Sequence, residues 1–259
     1  MVVKINVYEK MNRGAQIAIF IIIGLIMVVI LIILFLLFKA PEIKVLDENN
    51  PQAYIEGCTR EAVEDALEIL SKQGGDINPK GFIRYDDEEI TYLCYNVDYY
   101  WPCVNQRPLL VEHIENEITD YITPKVLECF VDLESKLENR YDIDISDMKL
   151  ITKLQSKNII VEIDKKFKMS RGDEVRDFNE FTMHMSHPIY DFANIAMKVV
   201  NQETHYCTFD ELGFMILYNE FDVTKLITGE ADIIYVIKER ATEQEFVFAV
   251  RSCKLPEGF

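Results

Sequence analysis

The sequence predicts an α+β protein in which one transmembrane helix precedes a domain with helices first and a mainly antiparallel sheet later. The first observation behind this prediction is a run of 22 residues, Ile17 to Phe38, without a charged or hydrogen-bonding side chain. The second is the order of patterns downstream, where helical periodicity comes first and alternating strand-like segments follow.

The apolar run is long enough to cross a membrane. As a helix it would rise about 33 Å, and the hydrocarbon core of a bilayer is about 30 Å thick. A secretory signal would end at small residues, whereas this run ends in Leu36, Leu37 and Phe38 before Lys39. We therefore predict a transmembrane helix at residues 15–38, with the lipid bilayer as a partner.

The distribution of charge predicts the topology. The first 14 residues hold Lys4, Lys10 and Arg13 against one acid, Glu9, whereas the whole chain carries a formal charge of −17. Short basic flanks stay in the cytoplasm. We expect a single-pass cell-membrane protein with its N-terminus inside, comprising a cytoplasmic tail (1–14), the span (15–38), a linker (39–50) and an extracytoplasmic α+β domain (51–259). The acidic balance argues against nucleic acid as a partner.

Two amphipathic helical regions open the predicted domain. The first begins at Pro51, repeats apolar residues at the helical period up to Leu70, and ends at Gly74-Gly75. The second covers residues 109–137, where Pro124 is expected to divide it because proline removes a helical hydrogen bond.

Strand-like segments dominate the rest of the chain. They are rich in Ile, Val, Phe and Tyr and are separated by turn residues. Two short helices, Pro188–Val200 and Phe209–Tyr218, interrupt them. The predicted strands are Glu89–Tyr95, Asp142–Ser146, Lys149–Leu154, Asn158–Met169, Glu174–Met185, Asp222–Ile227, Asp232–Lys238 and Glu245–Arg251.

All six cysteines follow the apolar run, which fits an oxidising compartment. Six cysteines allow fifteen pairings. Cys94 and Cys103 form the one local pair, in CYNVDYYWPC, where β-forming and turn residues suit a disulfide that closes a loop or hairpin. The alternative is six separate thiols in a cytosolic domain of opposite topology. The cysteines are Cys58, Cys94, Cys103, Cys129, Cys207 and Cys253.

Two clusters resemble metal-binding patterns. His184 and His187 have an HxxH spacing but lie at a strand end, where residues i and i+3 point to opposite faces. The segment Asp142 to Asp147 has acids at alternate positions like a calcium loop, but Lys153 stands where the bidentate glutamate should be. We interpret this segment as a solvated strand edge, and no metal site is predicted.

Three further segments have alternative interpretations. Arg171 to Asp173 has the tripeptide found in many adhesion ligands, although a Gly-Asp turn is needed there in any case. The aromatic run Tyr99 to Pro102, with Tyr92 and Tyr95, could be a platform for sugar or protein, or could pack over the Cys94–Cys103 pair, which we favour. The acids Asp86 to Glu89 suit a solvated turn.

The junction before the apolar run resembles archaeal type IV pilin-like precursors, which carry class III signal sequences. In that family a basic and a small residue precede the cleavage point and Gln commonly follows, as Arg13, Gly14 or Ala15, and Gln16 do here. The resemblance implies processing at Gly14, Ala15 or Gln16 and a retained apolar helix. Phe20 stands where the family often has Glu. The whole arrangement also resembles uncharacterised single-span archaeal membrane proteins.

The predicted function is that of a non-enzymatic, membrane-anchored cell-surface protein that contacts a protein partner or forms a homo-oligomer. No GxSxG, GxGxxG or P-loop motif occurs, so no catalytic residue, metal or cofactor is predicted. The alternatives are a pilin-like filament subunit and an envelope enzyme or sensor built on acids such as Asp86 to Glu89.

Overall fold

The computed structural model describes residues 22–29, 50–98, 100–228 and 232–253. The chain divides into two units, Met1–Val45 and Leu46–Phe259. The predicted tail (1–14), the processing site at Gly14, Ala15 and Gln16, most of the linker and the end of the chain (254–259) lie outside the described residues.

The described residues of the first unit do not support the predicted transmembrane helix. These residues, 22–29, are helical. Across the described ranges, no helix combines the length and the apolar character that crossing a bilayer requires. The prediction of a span at 15–38 is therefore wrong, and so are the single-pass anchor and the inside-to-outside topology that depended on it. The remaining residues of 15–38 lie outside the described part.

The second unit is α+β. Its described helices are α1 (Pro51–Lys72), α2 (Leu110–Leu137), α3 (Ile189–Tyr206) and α4 (Glu211–Leu217). Its described strands are β1 (Phe82–Tyr85), β2 (Glu88–Tyr95), β3 (Val104–Asn105), β4 (Asp142–Ile145), β5 (Lys149–Gln155), β6 (Asn158–Arg171), β7 (Glu174–Met185), β8 (Phe221–Ile227), β9 (Asp232–Glu239) and β10 (Glu245–Arg251).

Two sheets are present where the sequence predicted one. The first has the order β1-β2-β10-β9-β8, and β3 also pairs with β2. Its pairs are antiparallel except β2 with β10, which are parallel. In the second sheet β7 occupies one edge of β6, while β5 and β4 share the other edge.

One hydrophobic core joins the helices to both sheets. Helix α1 packs against α2 and contacts β7 of one sheet and β10 of the other. Strand alternation supplies the sheet side of this core, as in β5, where buried and exposed residues alternate over the whole strand. The Phe130 ring of α2 lies 5.1 Å from that of Phe181 in β7, edge to face.

Helix α2 continues through Pro124, so the expected division is wrong. Pro124 lies on the exposed side of the helix, where the carbonyl that lost its N–H donor can be solvated by water. The opposite side is a continuous buried stripe that includes Ile118, Ile122 and Val126. Packing of this stripe against the core holds the helix together across the proline.

Three disulfides link the elements of the second unit. Cys58–Cys129 joins α1 to α2, and Cys207–Cys253 joins the end of α3 to the segment after β10. Cys94–Cys103 closes the loop between β2 and β3.

Candidate binding site

A cleft of about 510 Å³ opens beside β2, where the partner of this strand changes. Residues 88–91 of β2 pair with β1, whereas residues 94–95 pair with β3. We call this space the Arg107 cleft. Its walls are Lys80, Gly81, Phe82, Thr91, Tyr92, Tyr95, Gln106 and Arg107.

Two glycines after α1 bring a buried carboxylate to the edge of this cleft. Gly74 and Gly75 have φ values of 68° and 89°, in the left-handed region that glycine adopts without strain. A Cβ on Gly74 would lie 3.1 Å from the Cβ of Thr91, so the close approach also needs glycine. The chain then places Asp76, which is 3% exposed, under the cleft.

Asp76 accepts hydrogen bonds from three different elements. The Oγ1 of Thr91 in β2 donates at 2.9 Å, and Nη2 of Arg107 donates at 3.1 Å from the segment before α2. The imidazole Nε2 of His113, in the first turn of α2, contacts the other carboxylate oxygen. A carboxylate with this many donors fixes the arginine side chain in one orientation.

The electrostatics of this group keep Asp76 ionised. Burial alone would raise its pKa, but the hydrogen bonds from His113 and Thr91 and the positive charge of Arg107 hold the pKa below its ordinary value. Arg107 therefore sits on a permanent negative charge, and its Nη1 also donates to the carbonyl of Gln106 at 3.2 Å.

Two tyrosines form the aromatic wall of the cleft. The rings of Tyr92 and Tyr95 lie 5.0 Å apart in an edge-to-face arrangement. Arg251 of β10 stacks over the Tyr95 ring at 5.5 Å and donates from Nη1 to its hydroxyl at 3.4 Å. Burial and the neighbouring Asp232 raise the pKa of Tyr92, so its hydroxyl stays protonated at neutral pH.

Residues 96–103, which we call the aromatic loop, adjoin this wall. The Cys94–Cys103 disulfide closes the loop at its base, with the two Cα atoms 5.4 Å apart. Inside the loop, the Asn96 side chain donates to the carbonyls of Trp101 and Pro102 at 3.2 and 3.0 Å, and its Oδ1 accepts from the backbone N–H of Asp98. These contacts tie the described residues of the loop to one another.

The side chains at the tip of the aromatic loop are exposed. Tyr100 is 74% exposed and Trp101 is 67% exposed, and Val97 and Val104 are similarly open. Packing over the disulfide, the interpretation favoured from sequence, therefore does not describe Tyr100 and Trp101. Tyr99 lies outside the described residues.

Asp76, His113 and Glu117 bring possible metal ligands within 4.8 Å of one another. Asp76 already accepts from three donors, and Glu117 accepts from the backbone N–H of Ile77 at 2.8 Å. A cation at this point would also meet the positive charge of Arg107. We therefore interpret the group as a network that positions Arg107.

The other segments singled out in the sequence lie apart from this site. His184 is exposed at the end of β7, whereas His187 is buried, and burial lowers the pKa of His187 to about 4. Residues 142–145 form β4, with Ile143 and Ile145 packed on the core. Arg171 to Asp173 lie in the exposed β6–β7 turn.

The acids Asp86 to Glu89 lie at the β1–β2 hairpin. Asp86 and Asp87 form its turn, both with positive φ, and Glu89 pairs with Arg84 across the strands. This is the solvated turn that the sequence favoured over an enzyme or sensor site.

Sequence reasoning missed the residues under the cleft, namely Asp76, Thr91, Arg107, His113 and Glu117. They are up to 41 positions apart, and none belongs to a recognisable motif. Only the aromatic run and the Cys94–Cys103 spacing pointed to this part of the chain.

Comparison with known proteins found no matching family model, no curated protein of significant sequence similarity and no solved structure of significant structural similarity. The function of the chain is therefore inferred from the residues of the site.

Proposed function

We propose that the second unit is a non-enzymatic binding domain that contacts a protein partner through its aromatic loop. The observation that carries this proposal is the exposure of Tyr100 and Trp101 on a loop held by a disulfide and by Asn96. Tyrosine and tryptophan are enriched among the residues that dominate protein–protein affinity.

The rigidity of the loop supports a binding role. Ordering a flexible loop at an interface costs conformational entropy, and a loop already fixed in the free protein avoids most of that cost. The Cys94–Cys103 bridge and the bonds of the Asn96 side chain restrain the described residues of this loop in the free protein. Large apolar side chains presented in this way are typical of interaction surfaces.

A photo-crosslinking phenylalanine tests the proposal in the cells that produce the protein. The reactive residue replaces Tyr100 or, as a matched control, Val175, which is 55% exposed in the other sheet. We expect a covalent adduct with one protein from position 100 and none from position 175. Adding Trp101→Ala to the position-100 variant should remove the adduct.

Direct binding of the identified protein then gives the affinity. Trp101 is the single tryptophan of the chain, so its fluorescence should shift to shorter wavelength as water leaves the loop. Trp101→Ala should weaken binding by at least about tenfold, measured by calorimetry, and Val175→Ala should leave it unchanged. Equal adducts at both positions, an adduct with carbohydrate only, or substrate turnover by the purified chain would contradict the proposal.

A further inference from the structure

The Arg107 cleft has an unusual wall for so acidic a protein. The chain has 44 acidic and 27 basic residues, yet the wall of this cleft contains Lys80 and Arg107 and no Asp or Glu. Four other clefts of the described residues each include an acid, for example Glu162, Glu64, Asp210 and Asp232. The charged residues in the wall of the cleft are thus all basic, and the buried Asp76 carboxylate behind the wall pairs with one of them, Arg107.

Its two basic residues differ in how they are held. Lys80 is exposed and forms no ion pair with any residue that the structure describes. Arg107 is held by the buried Asp76 carboxylate, which accepts a hydrogen bond from its Nη2. The same carboxylate also contacts Thr91 and His113. An arginine positioned in this way presents its remaining donors without losing side-chain entropy on binding.

The guanidinium also keeps an unused hydrogen-bond donor at Nη1. This nitrogen makes one bond of 3.2 Å, to the neutral carbonyl of Gln106, so it retains a second N–H. Nε is buried and is not open to a ligand in the cleft. Carboxylate oxygens are the acceptors that match an arginine fork most strongly.

We propose that the Arg107 cleft is a carboxylate-binding subsite that receives an acidic side chain of the protein partner, between Lys80, Arg107 and the ring of Tyr95. This rests on the proposed function, because the partner is the one that the adjoining aromatic loop contacts. The loop supplies contact area and the cleft selects for a negative charge.

The probes for this proposal are two blocked amino acids that differ in one group. N-acetyl-glutamate amide carries the side-chain carboxylate, and N-acetyl-glutamine amide is its neutral match. Each is titrated into the ¹⁵N-labelled full chain, and the NMR signals of the Arg107 side chain and the Gln106 backbone are followed. We expect saturable shifts with the glutamate probe and none with the glutamine probe.

Substitutions at Lys80 keep the test independent of folding, because this side chain is exposed. Lys80→Gln should weaken the affinity for the glutamate probe about threefold, and Lys80→Glu should abolish the NMR shifts that this probe causes. Lys149→Gln makes the same charge change in the other sheet and should have no effect. Arg107→Lys keeps the charge but lacks the Nη1 donor that is free while Nη2 binds Asp76, and should bind the probe more weakly than the native chain.

The outcomes separate this proposal from the function on which it rests. Trp101→Ala should leave binding of the glutamate probe unchanged even if this substitution abolishes binding of the protein partner. Probe binding without crosslinking at position 100 would overturn the role of the loop and leave the subsite standing. Equal shifts with both probes, or unchanged binding in Lys80→Glu, would overturn the subsite.

Discussion

Glu203 is a buried acid inside the apolar core. It lies on α3, is 0% exposed, and its Oε1 accepts a hydrogen bond from the Tyr235 hydroxyl of β9. Its Oε2 has no hydrogen-bond partner among the described residues. Burial raises the pKa of Glu203, and the hydrogen bonds from Tyr235 and Ser252 and the charge of Lys225 oppose this only in part.

This shift predicts the pH dependence of stability. In the unfolded chain Glu203 loses its proton near its ordinary pKa of 4.5, whereas the folded protein retains the proton to higher pH. The folded state therefore binds more protons over that interval, and its stability falls as pH rises through it. Glu203→Gln cannot ionise, so the free energy of unfolding should decline less between pH 4 and pH 8.

Urea unfolding across that pH range measures the effect. Glu128→Gln is the control, because Glu128 is an exposed acid on α2 and makes the same chemical change away from Glu203. If the native chain and Glu203→Gln lose stability with the same slope, the buried acid does not retain its proton.

Helix α2 shows how a whole element can override one unfavourable residue. Its buried stripe runs from Leu110 to Leu137, and α2 packs against both α1 and β5. Pro124 removes one backbone hydrogen bond from the interior of this helix. Tertiary packing outweighs that loss, so the helix continues.

We expect Pro124→Ala to stabilise the protein. Alanine restores the hydrogen bond to the carbonyl of Asp120, which is worth up to about 3 kcal/mol in a helix interior. Part of this gain is offset, because alanine allows the unfolded chain more conformational freedom than proline does. This offset is somewhat less than about 1 kcal/mol. The free energy of unfolding in urea should therefore rise by about 2 kcal/mol.

Leu127→Ala provides the comparison on the same exposed side of α2, and it should change stability by less than about 0.5 kcal/mol. A loss of stability in Pro124→Ala would mean that the helix is adapted to the proline.

The strands of the second unit could be predicted from local pattern because alternation is a property of neighbouring residues. The expected Glu174–Met185 strand coincides with β7, and the Glu245–Arg251 strand coincides with β10. The partition into two sheets could not be predicted, because it depends on which distant strands pair. The span at 15–38 was predicted from local composition, whereas no helix of the described residues has the length and apolar character that a bilayer requires.

At the scale of the whole molecule, the disulfides differ in how much chain they enclose. Cys58–Cys129 spans 71 positions, whereas Cys94–Cys103 spans 9. In the chain-entropy description, a longer closed loop removes more freedom from the unfolded state. The first bridge therefore acts mainly on global stability and the second on the shape of the aromatic loop.

Paired substitutions separate these roles. Cys58→Ala with Cys129→Ala should lower the free energy of unfolding by about 4 kcal/mol, and Cys94→Ala with Cys103→Ala by about 2.6 kcal/mol. Partner binding at equal folded concentration should fall only in the second pair. Urea unfolding without reductant and calorimetry measure the two effects, and equal loss of binding in both pairs would contradict this division.

The candidate site shows the same limit on sequence prediction. The spacing of Cys94 and Cys103 and the aromatic run between them are local, and they drew attention to the surface that we propose binds the partner. Asp76, Arg107 and His113 meet only because Gly74-Gly75 turn the chain back under β2 and α2 begins beside it. Contacts of this kind depend on the tertiary fold and produce no recognisable pattern in the sequence.

The position of β10 has a consequence for biosynthesis. This strand lies between β2 and β9, so it joins the first strands of the unit to those made late. A ribosome must synthesise the chain at least as far as Arg251 before β2 can acquire this neighbour. Until then the edge of β2 that β10 will cover stays open, in a nascent protein whose N-terminal helices can already be packed. Protection by a chaperone during that interval would matter more for this fold than for one built from consecutive hairpins.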